Sequence, residues 1–186
     1  MHHAAANPPA DVLALRRTSH ILAAACGLLV WALPLAVLAC WALADVSTLA
    51  SQAHLAPGAI QGALTPLQRV AGALLTCVPV GLLLRGLWTA RQCFQGFARG
   101  HVFTPQAVQG LRHFAAWVMA SVVAGMLLVP ALSVLLTLNN PPGMRHLAIA
   151  LGSDHIFTLL FAGVVWLMAA IIGQGQALAE ENAAFV

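Results

Sequence analysis

Long apolar runs, broken by short polar stretches, set the pattern of this chain. Four runs qualify as membrane spans, at about residues 21–43, 67–88, 114–138 and 156–172. A hydrocarbon core of about 30 Å takes roughly 20 apolar residues in a helix. The runs are continuously apolar instead of alternating, which fits helices and not the strands of a barrel. The second keeps its uncharged stretch between Arg69 and Arg85; it comes to length when the two arginines extend outward in opposite directions. The pattern predicts an all-α fold, a polytopic membrane four-helix bundle forming a single integral membrane domain over 1–186.

Helix punctuation refines this. Thr65-Pro66 and Thr104-Pro105 each place an N-cap hydroxyl before a proline at the first helical position. With Gly100 as a C-terminal glycine, they predict one helix from Pro66 to about Ala98 and another from Pro105 to about Leu138. Each would be about 50 Å long. Spans two and three then extend past the bilayer as a helical hairpin with its tip at 100–104. Asn139-Asn140-Pro141-Pro142-Gly143 ends span three. Residues 144–151, bounded by glycines, are expected to form a short interfacial helix, and 45–65 a polar loop. Pro34, Pro79 and Pro130 fall inside spans, either as packing features or as parts of a transport site. Ala23/Gly27 and Ser121/Gly125 have the small-xxx-small spacing of close helix contacts. Trp41 and Trp88 sit near span ends, where interfacial aromatics gather, and Trp31 in mid-span.

Composition narrows the class. Of 186 residues, 61% are hydrophobic and only 7% charged, against about 25% charged in a soluble domain. A soluble enzyme or nucleic-acid-binding domain is excluded, because so few charges cannot cover a wetted surface. Every basic residue is Arg. Arg16 and Arg17 precede span one; Arg85, Arg91, Arg99 and Arg112 lie between spans two and three. Arg69 and Arg145 fall in the other two loops, beside Asp45 and Asp154. This asymmetry predicts a bacterial inner-membrane protein with both termini and the central hairpin cytoplasmic. The arginines are scattered, which argues against nucleic acid as a direct partner, and suit contact with anionic lipids. The uncharged run after Arg17 is too long for a signal peptide's apolar region, so span one is expected to be retained.

Candidate chemistry is sparse. The span centres lack Asp, Glu, Arg and His, which argues against a proton-coupled transporter. Thr76, Cys77, Ser121, Ser133 and Thr158 are the polar residues in or near spans, and each can bond its own backbone. Cys26, Cys40, Cys77 and Cys93 make no C-x-x-C pair and read as small hydrophobes. His20 and His113 begin spans one and three, where they either rest among headgroups or face each other as axial haem ligands. His54, His146 and His155 lack metal-ligand spacing. No nucleophile motif or phosphate loop is present. The expectation is no enzyme, no catalytic residue, no metal and no cofactor. Glu180 and Glu181 either stand solvated at the end of helix four or pair with Arg112 and Arg99.

Two motifs carry a resemblance. Phe103-Thr104-Pro105-Gln106-Ala107-Val108, followed by Leu111-Arg112, resembles the F-T-x-x-N-V-x-x-L-R loop of the bacterial domain-of-unknown-function 2975 family, small four-span inner-membrane proteins. Gly175-Gln176-Ala177-Leu178-Ala179-Glu180-Glu181-Asn182 is similar to the first half of that family's G-x-x-L-x-x-E-N-E-L-T-V tail, and Val186 to its end. The resemblance covers roughly 85–186, with Ala107 replacing the usual Asn and Ala183-Ala184-Phe185 replacing Glu-Leu-Thr. It implies a fold and a place, not a reaction, and its members' frequent neighbour, a small helix-turn-helix regulator, implies a regulatory partnership.

Both motifs fall on the predicted cytoplasmic side. The expected interaction surface combines Arg99, Phe103, Thr104, Pro105 and Arg112 of the hairpin with Glu180, Glu181 and Asn182 of the tail. The function expected first is a non-enzymatic inner-membrane protein presenting this face to a regulatory or structural partner, with a homo-oligomer as a further possibility. The alternatives are an oligomeric small-molecule permease or channel, and a haem- or quinone-binding subunit. A continuous polar cavity would favour the permease and a sealed apolar core would oppose it.

Overall fold

Two threonine–proline pairs start the two central helices of the computed structural model, which describes residues 10–100, 104–141 and 143–184. Its elements are α1 (Ala10–Leu43), α2 (Val46–Gln52), α3 (Pro66–Ala98), α4 (Pro105–Thr137) and α5 (Ser153–Ala184). The fold is an all-α membrane bundle, with four helices long and apolar enough to cross a bilayer. At 32 to 34 residues, each is about 50 Å long.

The caps explain the boundaries. Thr65 Oγ1 accepts from the Gln68 amide at 3.3 Å, and Gln68 Oε1 accepts from the Thr65 amide at 3.0 Å, a reciprocal capping box. Thr104 Oγ1 accepts from the Ala107 amide at 3.2 Å, and the methyl of Ala107 offers no acceptor to complete a box. Gly100 takes φ +89°, the left-handed conformation that stops a helix without a Cβ penalty.

The long helices pack in chain order: α1 on α3, α3 on α4, α4 on α5, with no comparable contact joining α1 to α5. Among the described residues the bundle is thus opened into a row of four helices. Much of α1 and α5 is left to lipid, including Leu28, Leu35, Phe157 and Phe161. Small residues set the central contact: Gly110 lies against the Cys93 sulfur and Gly86 against Trp117. Ser121 departs from expectation. Its hydroxyl crosses from α4 to donate to the Pro79 carbonyl of α3 at 2.8 Å instead of bonding its own helix.

At the end opposite the hairpin, here the capped end, three expectations are corrected. Residues 45–65 are not merely a polar loop, since α2 forms there and buries Leu49 and Ala50. With Ala53, Leu55, Trp41, Leu132 and Leu136 they make the main buried cluster. Trp41 is therefore a core residue, only 4% exposed, and not an interfacial anchor. Residues 144–151 are irregular and extended, not helical. Leu147, Ile149 and Leu151 are exposed while Ala148 and Ala150 turn inward, the two-residue period of an extended chain. Two fully buried hydroxyls on α4 hold the segment: the His146 amide donates to Thr137 Oγ1 at 3.3 Å and the Ala148 amide to Ser133 Oγ at 3.0 Å. Two extended residues advance about 6.6 Å and one helical turn about 5.4 Å, so consecutive partners stay in step.

Polar hubs close this end. Asn140 donates to the carbonyls of Ala59, at 2.7 Å, and Met144, at 2.9 Å, and accepts from the Gln61 amide at 3.1 Å. Gln68 donates to the Leu135 carbonyl at 3.0 Å and accepts from Asn139 at 3.0 Å. Arg69 donates to the carbonyls of Trp41 and Ala44, at 3.0 and 3.2 Å, covering acceptors that the end of α1 leaves without helical partners.

Candidate functional site

The hairpin end is built differently. Arginines and tryptophans meet there in pairs: Arg85 over Trp117 at 5.9 Å, Arg91 over Trp88 at 5.3 Å, and Arg112 over Trp166 at 5.0 Å, guanidinium carbon to ring centroid. Each distance is within the range of cation–π attraction. The register puts the three rings at one level: Gly86 touches Trp117 and Phe114, and Gly173 of α5 meets Val108 of α4. Val30, beside Trp31, lines the same cavity as Trp88 and Trp117. Trp31 therefore joins this level despite its mid-span place in sequence. Tryptophans concentrate at membrane–water boundaries, and four of this chain's five gather near this level.

Beyond it the helices continue. Arg16 at the start of α1 approaches Gly100 at the end of α3, which puts the two elements at the same end of the molecule. Between α4 and α5 lies a cavity of about 630 Å³. Its walls include Val108, Gln109 and Arg112 from α4, and Trp166, Gln174 and Gln176 from α5. Val108 and Gly173 narrow the gap between the helices, because α5 has no Cβ to offer there. The Gln176 Nε2 amide is buried and has no hydrogen-bond partner among the described residues. Arg112 donates no hydrogen bond among the described residues; its guanidinium carbon lies over the Trp166 ring, 5.0 Å from the centroid.

The expected surface residues divide. Pro105 and Arg112 come together with Gln176 and Ala177 around this one cavity, so the two sequence motifs do meet. Thr104 is the α4 cap and lines a separate, smaller cavity inside the hairpin with Cys93 and Gly110. Arg99 is the exposed C-cap of α3 and faces a cavity between α1 and α3, with His20, Arg91 and Gln95. Glu181 and Asn182 are exposed on the last turns of α5. Phe103 and the Glu180 side chain lie outside the described residues. Arg112 forms no ion pair with Glu181: Trp166 takes the guanidinium, and the ion pair found among the described residues is His155–Asp154, at 3.3 Å at the capped end.

His20 and His113 line different cavities, His113 with Arg85 and Trp117 and His20 with Arg91 and Arg99. They do not face each other. Among the described residues no three of His, Cys, Asp and Glu gather in metal-binding distance, and the four cysteines are free.

Sequence reasoning missed Trp166, Gln109 and Gln174, and met Gln176 only as part of the tail motif. The glutamines are visible as polar breaks at one end of apolar helices, and that was the available signal; their convergence depends on the α4–α5 register. A family model described as "Protein of unknown function (DUF2975)" matches residues 63–186. That stretch takes in α3, α4 and α5, and with them every wall of the cavity. Neither the curated proteins nor the solved structures contain a match.

Proposed function

The chain belongs to the DUF2975 family of membrane proteins, and from that premise we propose that it is a non-enzymatic docking protein of the bacterial inner membrane. Both termini and the hairpin face the cytoplasm, and the hairpin end engages a regulatory or structural protein there. One observation carries this reading. At the hairpin end α3 runs ten residues past Trp88, to Ala98, and α5 runs twelve past the end of its apolar stretch at Ile172, to Ala184. Those extensions correspond to about 15 and 18 Å. The extended ends carry exposed polar and charged groups, Arg99, Gln106, Gln109, Glu181 and Asn182.

The orientation rests on charge. Arg16, Arg17, Arg85, Arg91, Arg99 and Arg112 belong to the hairpin end, and the excess of arginine beside spans faces the cytoplasm. The non-enzymatic character is supported by how the polar groups are occupied. Thr76, Ser121, Ser133 and Thr137 all donate to backbone carbonyls, which gives them structural work.

In-cell photocrosslinking tests the docking role. A crosslinker introduced at Gln106 and, separately, at Asn182 is expected to yield one adduct of the same mass from both sites, and none from Ser51 on α2. Adducts to lipid alone at both hairpin-end sites would refute a protein partner.

A further inference from the structure

We propose that the cleft between α1 and α3 is a binding site for a two-phosphate glycerolipid of the diphosphatidylglycerol class, with Arg91 and Arg99 each holding one phosphate. The site stands without any protein docked at the hairpin tip. Three observations converge. The first is uncompensated charge. The cleft is a cavity of about 330 Å³ walled by Arg91, Gln95 and Arg99 from α3 and by His20, Ala23 and Ala24 from α1. Each of its four polar side chains can donate a hydrogen bond, and none of its walls is an acid. No ion pair reaches either arginine among the described residues. Arg91 is half-buried, with its guanidinium over Trp88 and its Nε 3.3 Å from where a Cβ on Gly27 would stand. A charge drawn part-way out of water is costly without a partner, and basic pockets between membrane helices take phospholipid headgroups.

The second is spacing. Arg91, Gln95 and Arg99 follow one another at four-residue steps along a single stripe of α3. Helical side chains lean towards the N-terminus of their helix, and α3 begins at the capped end. Arg91 therefore reaches inward, to Gly27, one turn deeper along α1 than the cavity wall at Ala23. Arg99 stands two turns further out on α3, about 12 Å along the axis, exposed at the mouth of the cleft. Charge-assisted contacts are about 2.8 Å long, too short for one phosphate to be shared across that separation. Two phosphates joined by a glycerol fit it. Each guanidinium presents its in-plane N–H groups to one phosphate, and the Gln95 amide lies one turn from both arginines.

The third is position, which separates a lipid from a soluble anion. α1 changes from polar to apolar at the cavity: Arg16, Arg17, Thr18, Ser19 and His20 precede Ile21, and no charge follows until Asp45. Phosphates belong at that step and acyl chains inward of it. Leu28, Leu35 and Leu38 come four, eleven and fourteen residues after Ala24, on one face of the helix. All three are exposed. Among the described residues α1 packs chiefly on α3, which leaves that face as an apolar track for acyl chains.

Native mass spectrometry of the full-length protein in a neutral detergent tests this with diphosphatidylglycerol, phosphatidylglycerol and inorganic pyrophosphate. Wild type is expected to retain diphosphatidylglycerol about tenfold over phosphatidylglycerol, a difference near 1.4 kcal/mol. Pyrophosphate at equal concentration should not displace it. Four acyl chains favour the larger lipid in any case, so the decisive readout is the ratio in variants. Arg91→Ala and Arg99→Ala should each lower the ratio severalfold, because either leaves one phosphate unheld. Arg145→Ala, at the capped end, removes the same charge and should leave the ratio unchanged. Arg91→Gln replaces Arg91→Ala if that variant does not fold, and Arg99, being exposed, tolerates truncation. Equal retention of the two lipids, a ratio unchanged in both cleft variants, or an equal fall in Arg145→Ala would each overturn the proposal. Displacement by pyrophosphate would overturn it too, by making the cleft a site for soluble anions.

Discussion

At Gly72 α1 and α3 approach closely, with the indole of Trp41 in the space a Cβ would fill. The ring is held there by its Nε1, which donates to Thr76 Oγ1 at 3.1 Å, while that hydroxyl donates to the Gly72 carbonyl at 2.8 Å. Gly72→Ala puts a methyl inside the ring's space, and overpacking of this kind costs about 1–3 kcal/mol. A lower unfolding midpoint in detergent, together with a shifted tryptophan emission as Trp41 leaves the core, is the expected outcome; an unchanged emission would mean the contact is loose. Arg69→Ala should cost a similar amount, about 1–3 kcal/mol, since it strips two α1 carbonyls of their charged donor. Retaining the charge without the fork, as Lys, should recover only part of the unfolding midpoint. Neither role is visible in the sequence. Gly72 is one more glycine in an apolar helix, and Arg69 looks like a charge that sets orientation. Both act through partners 25 to 35 residues away. Arg112 shows the same limit, because its motif singles it out while Trp166, which decides where it points, sits 54 positions on in a uniformly apolar run.

Elements were legible where their signals are local. A threonine, a proline and a left-handed glycine bound α3 and the start of α4 with no help from packing. The segment after α4 failed for a reason that is also local: the alternation of Leu147, Ala148, Ile149, Ala150 and Leu151 has a period of two, and its bounding glycines suggested a helix. What the sequence could not supply is its support, the Ser133 and Thr137 hydroxyls that replace a neighbouring strand. Removing both, as Ser133→Ala with Thr137→Val, strands the His146 and Ala148 amides at a cost of about 1 kcal/mol or more each. Amide hydrogen exchange across 144–152 should then quicken markedly while α4 stays protected. Exchange at the wild-type rate would show that the exposed leucines, held by lipid, fix the segment on their own. The short helix α2 escaped for a different reason, since seven residues carry too little periodicity to stand out from a polar loop, and its burial of Leu49 depends on Leu132 and Leu136 of α4.

At the scale of the molecule, the two ends are built from opposite principles, and this makes the orientation testable. The capped end ties its polar groups inward: Asn140, Gln68 and Arg69 spend their hydrogen bonds on backbone carbonyls and on one another. The hairpin end sets three of its arginines, Arg85, Arg91 and Arg112, over tryptophan rings. Six arginines belong to the hairpin end and two to the capped end. The hairpin end should therefore stay in the cytoplasm. With the native cysteines replaced, Ser51→Cys on α2 and Gln106→Cys on the first turn of α4 report the two ends, both positions being exposed. An impermeant thiol reagent added to intact cells should label the first and reach the second only after the membrane is opened. The reverse pattern would place the arginine–tryptophan level at the outer leaflet and remove the cytoplasmic docking role with it.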